Sequence, residues 1–227
     1  MGQVDRIERA RQLCDQAVFG GVDEALLTAD QELDGAEADL LLTRGRVLHA
    51  RFLADRHSES PGSVAPELIA RELAMFERAV ELFHRVGDLR GEGEALFWVG
   101  IFHQVVQGDG GTALPYFEKA YAAAEAFGDR LTLSYAARHL GFFEQEAGRT
   151  AQARARLEES VRLREEIDFR AGVAAGKLAL AGLAAEEGDH AAAALLLDEA
   201  DAVAESCGAH GVRRWIAHAR IELASAS

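Results

Sequence analysis

Eight histidines, two cysteines and a surplus of carboxylates are the residues from which chemistry would have to be built in this 227-residue chain. A catalytic zinc wants HExxH on one helix face, and a structural zinc wants close Cys/His pairs. The nearest histidine pairs, His49 with His57 and His210 with His218, stand eight apart. Cys14 and Cys207 lie near opposite ends with no CxxC around them, which reads as free thiols in a reducing compartment. No metal and no cofactor is expected. There is no GxSxG, Walker A or dinucleotide fingerprint. Gly108-Asp109-Gly110-Gly111 follows no strand pattern, so its glycines read as turn formers. The pairs Glu158-Glu159 and Glu165-Glu166 read as solvated helix faces rather than acid/base pairs. With no nucleophile in a recognisable setting, no catalytic residue is assigned and binding is expected ahead of catalysis.

Composition narrows the partners. The formal charge of -14 opposes a nucleic-acid backbone, and no basic stripe offsets it. Met1 to Arg11 is charged and lacks the apolar stretch of a secretory signal, and no eighteen apolar residues run together. A cytoplasmic, soluble protein is expected, with no membrane partner. Alanine richness, with lysine only at positions 119 and 177, suggests a GC-rich bacterial source. A hydrophobic content of 49% suffices for a continuous core, and three prolines with scattered β-branched residues favour an all-α fold.

Four segments repeat one local pattern: Phe76-Glu77-Arg78-Ala79, Phe117-Glu118-Lys119-Ala120, Leu157-Glu158-Glu159-Ser160 and Leu197-Asp198-Glu199-Ala200, at steps of 41, 40 and 40 residues. Gly108, Gly148 and Gly188 precede the last three, and Ala113, Ala153 or Ala193 stands between. Small, large and small residues at this spacing share one helix face, and the small ones let two helices approach. The glycine turns the chain between two helices. A second break falls at Gly87-Asp88, Gly128-Asp129, Asp168 and Gly208, where a glycine ends one helix and an aspartate caps the next. Two breaks per repeat leave helices of about 15 to 18 residues, roughly 25 Å each.

This pattern resembles the tetratricopeptide repeat family, in its longer subclass of about 40 residues, as in kinesin light chain, Pins-like adaptors and bacterial regulators with helical sensor domains. Leu140-Gly141, Gly148, Ala153, Leu157 and Ser160 match in register. Gly100, Gly108, Ala113, Phe117 and Ala120 match with one extra residue, and Gly182 in the third copy is one place off. The resemblance covers residues 87 to 207, as repeats 87–127, 128–167 and 168–207. It implies a right-handed superhelical solenoid of antiparallel hairpins. Less regular hairpins are expected at 4–33, around Gly20-Gly21, and at 36–86, with a capping helix at 210–224. The whole chain, 1–227, then forms one domain of about five hairpins plus a terminal helix.

In that family the first helix of each hairpin lines a concave surface, which implies a partner groove carrying Arg46, His49, Trp98, Phe102, His103, Tyr135, Arg138, His139 and Phe142. Guanidinium and imidazole groups beside aromatic walls suit a carboxylate or an acidic peptide. The expected function is a protein-interaction module, adaptor or regulatory sensor that holds a peptide or partner helix. The alternative is a small-molecule binder or unconventional biosynthetic enzyme that takes an anionic or aromatic ligand in the same groove, closed by the connector at 55–66 as a lid. For each of these residues the competing role is structural, with aromatics filling interhelical space and charged heads snorkelling to water. Self-association through a terminal hairpin is a third possibility.

Overall fold

A computed structural model describes residues 3–56 and 65–226; of the proposed lid at 55–66, residues 57–64, including His57, Ser58, Glu59, Ser60 and Pro61, lie outside them. Among the described residues the regular elements are all helical. The chain divides into two compact units, Met1–Phe127 and Gly128–Ser227. The first contains α1 (Gln3–Gly20), α2 (Ala25–Arg56), α3 (Pro66–Arg85), α4 (Leu89–Ile101), a π-helical turn (Phe102–Val106) and α5 (Gly110–Phe127). The second contains α6 (Arg130–Glu146), α7 (Thr150–Glu166), α8 (Arg170–Glu186), α9 (His190–Ser206) and α10 (His210–Ala226).

Within each unit every helix packs on its sequence neighbours, α1 to α5 in the first and α6 to α10 in the second. This is the stacked-hairpin arrangement that the repeat requires. Its punctuation is chemical. Gly108, Gly148 and Gly188 take positive φ of 69°, 70° and 80°, and Gly148 N and Arg149 N donate back to Gln145 O and Glu144 O to close α6. Asp88, Asp129 and Asp189 accept from the backbone N–H three residues on and so cap α4, α6 and α9. Asp168 behaves differently from these aspartates. It occupies the left-handed slot itself at φ 54°, and Phe169 stands at the cap position without a side-chain cap bond.

Phe76, Phe117, Leu157 and Leu197 are fully buried or nearly so. Three of them meet a glycine of the preceding helix, and a Cβ on Gly100 would lie 2.8 Å from the Phe117 ring. Only a hydrogen side chain permits that approach. The core of the first unit gathers Ala38, Leu42, Phe76, Leu82, Phe83, Val99 and Phe102. In the second unit Ala153, Leu157, Val161, Leu180 and Leu183 form one cluster and Ala174, Ala181, Leu197, Ala204 and Ile216 another.

Two local features depart from the sequence reading. The expected break between residues 33 and 36 is absent, and α2 runs for 32 residues. Gly35 serves packing rather than turning, since a Cβ there would collide with the Arg6 guanidinium, which bonds Asp88 at 2.5 Å. The extra residue between Gly100 and Gly108 is accommodated by the π-helical turn, with Gln107 N donating to Phe102 O at 3.2 Å.

Candidate functional site

In the first unit the expected residues gather around Trp98, which is half-buried on α4. Its ring stacks on Phe76 at 5.8 Å and meets the edges of His49 at 5.7 Å and Phe97 at 5.5 Å. The Arg46 guanidinium lies 5.1 Å above Trp98 and also donates to Glu94 at 3.0 Å. His49 is buried at 5% exposure, and its Nδ1 is 2.9 Å from a Glu72 carboxylate oxygen that is buried too. A carboxylate acceptor requires the proton on Nδ1. Phe102 is a core residue. His103, on the π-helical turn, stacks on Tyr116 at 5.5 Å and reaches Gln107 Oε1 at 2.7 Å. Arg46 and His49 therefore already have carboxylate partners within their own unit.

In the second unit α6 places Tyr135, Arg138, His139 and Phe142 on one face by helical periodicity. The Arg138 guanidinium sits 4.7 Å over the Phe142 ring, and His139 meets that ring edge-on at 5.7 Å and 86°. Tyr135 meets Phe169 edge-on at 6.0 Å. Thus four of the nine expected residues form one contiguous patch here.

The patch is completed by a residue that sequence reading passed over. Arg164 belongs to a charge-rich stretch of α7, yet it is 2% exposed. It donates to Ser134 Oγ at 3.3 Å and Gly172 O at 2.8 Å and lies 5.2 Å over the Tyr135 ring. Ser160 Oγ donates to Ser134 O at 2.6 Å. The available signal was position: Arg164 continues the face of Ala153, Leu157 and Ser160.

The two arginines of the patch differ in how they are satisfied. Arg164 has its hydrogen-bond acceptors, whereas Arg138 Nε is buried and makes no hydrogen bond. Among the described residues no carboxylate pairs with Arg138. Burial lowers its pKa to about 10 against a small opposing influence of Tyr135. Arg164 is also lowered to about 10, first by burial and then by the charge of Arg138. Both remain cationic at neutral pH, so the patch holds positive charge in a chain whose formal charge is -14.

No protein-family model matches the chain, and no curated protein sequence matches it. Among the described residues no group of three or more His, Cys, Asp or Glu is arranged to hold a metal ion. No described helix is long and apolar enough to cross a membrane.

Proposed function

We propose that the chain is a protein-interaction module of tetratricopeptide type, and that the α6 face of its second unit receives an acidic, carboxylate-bearing segment of its partner. The observation that carries this reading is Arg138. Its guanidinium is taken partly out of water, held flat over Phe142 and left with no carboxylate or Nε acceptor. A desolvated cation without a counter-ion costs stability unless something else makes use of it. A planar guanidinium beside an aromatic wall is suited to grip a carboxylate, with Phe142 and Tyr135 covering an apolar neighbour of that group, while His139 is buried beneath them. Arg164 supports the patch from beneath by adding positive potential while its own hydrogen bonds stay within the fold. A right-handed superhelix, one continuous domain and a cytoplasmic adaptor or scaffold role belong to the same proposal.

Fluorescence polarisation with labelled peptides tests it. A peptide carrying glutamates next to a leucine or phenylalanine should bind the full chain saturably and weaken as salt rises. Its glutamine counterpart should bind at least ten-fold more weakly, and Arg138→Gln should remove the difference. Equal binding of the two peptides by the unaltered chain would overturn the reading.

A further inference from the structure

At the other end of the second unit, α8, α9 and α10 line an open cleft of about 330 Å³. That volume lies at the lower end of the range of small-molecule sites. Its walls are mostly small and apolar, and the opening owes much to Gly182, where an added Cβ would meet nothing within 4 Å. At the matching positions of the earlier copies the glycine is filled by its neighbour, as Gly141 is by Leu157. In this copy Ala181 takes the buried role at 2% exposure, and Gly182 is turned out to face the open space.

The polar groups of the cleft share one character. Glu186 from α8 and Glu222 from α10 line it, and no arginine or lysine does. His190 lines it as well, and its Nδ1 is wholly buried yet hydrogen-bonded to nothing. A buried ring nitrogen in that state is a polar atom without a partner. Two carboxylates at the rim of an apolar floor are complementary to a group that is cationic, donates several hydrogen bonds and carries an alkyl body. They oppose an anion, which separates this cleft from the Arg138 patch.

We propose that the α8–α10 cleft is a binding site for a small alkylammonium ligand, whose chain fills the space over Gly182 and whose ammonium donates to Glu186 and Glu222. The site is independent of the partner surface on α6, and either reading can fail without the other.

The test is an NMR titration of the full, isotope-labelled chain with n-hexylammonium, n-hexanol and hexanoate. Hexylammonium should shift the amides of α8, α9 and α10 saturably, hexanol at least five-fold more weakly, and hexanoate least. The double variant Glu186→Gln/Glu222→Gln, which changes rim groups only, should bring hexylammonium down to the level of hexanol. Gly182→Leu should fill the cleft and abolish both, with the amide spectrum outside α8–α10 unchanged. Should that variant fail to fold, the carboxamide pair decides alone. Hexylammonium binding no tighter than hexanol, or unaltered by the loss of both carboxylates, would overturn the proposal.

Discussion

Replacing Arg138 by methionine should stabilise the protein while removing its grip on acidic peptides. Burial lowers the Arg138 pKa from its ordinary value to about 10, so the folded surroundings disfavour its charge. At about 1.4 kcal/mol per pH unit, the upper bound is about 3.5 kcal/mol. Two effects reduce it: the side chain is only half-buried, so water screens part of the penalty, and the contact over Phe142 returns about 0.5–2 kcal/mol. Methionine keeps an apolar stem of similar length, so packing on Phe142 survives. The net expectation is a gain of about 1 kcal/mol at neutral pH, or a Tm about 2–4 °C higher. The pH dependence has a definite sign. As pH rises above about 10 the folded chain releases the Arg138 proton that the unfolded chain still holds, so the stability of the unaltered protein rises there and the advantage of Arg138→Met shrinks. Urea unfolding followed by far-UV circular dichroism at pH 7 measures the gain, and peptide polarisation measures the loss. A variant destabilised by more than about 1 kcal/mol would show that Arg138 is a structural residue and that the reasoning is wrong.

Other outcomes follow from packing. Alanine at Gly45, where a Cβ would lie 2.4 Å from the Phe76 ring, should cost about 2–3 kcal/mol, whereas Gly141→Ala, with a 3.1 Å approach to flexible Leu157, should be near neutral. Gly182→Ala meets open space and should gain up to about 1 kcal/mol from helix propensity; thermal melts that fail to rank the three in this order contradict the close-approach account. Asp168→Gly should stabilise by about 0.5–1 kcal/mol by relieving φ 54°, and an unchanged urea midpoint would count against strain there. His49→Leu should cost about 3–5 kcal/mol because Glu72 is left buried and unpaired, while His49→Leu/Glu72→Met should come within about 1 kcal/mol of the original. Additive costs in that double-mutant cycle would show the pair to be uncoupled.

The hairpin rhythm was legible because its determinants are local. Gly148 and Gly188 announce positive φ, Asp88 and Asp129 announce helix starts, and the extra residue after Gly100 announces an irregularity that emerges as the π-helical turn. The break expected between residues 33 and 36 is absent because Gly35 there serves a close approach, and the partner that decides this, Arg6, is remote in sequence. Asp168 was read with the capping aspartates and instead holds the glycine's place, a choice made by one residue of register. The site was legible as a set of residue types and not as a state of charge. Arg46 and Arg138 look alike along the chain, but Glu94 answers the first at 3.0 Å and no carboxylate answers the second. Arg164 escaped notice because its neighbours are charged, although its spacing from Leu157 and Ser160 places it on the buried face.

The claim that Arg138 is a waiting counter-ion is tested most directly by following its Nε–Hε resonance in a ¹⁵N correlation spectrum while the glutamate-bearing peptide is added. The account predicts a saturable shift of that one arginine side chain, with the Arg164 resonance moving little because its acceptors lie within the fold. An Arg138 resonance that stays fixed while the peptide binds would contradict it.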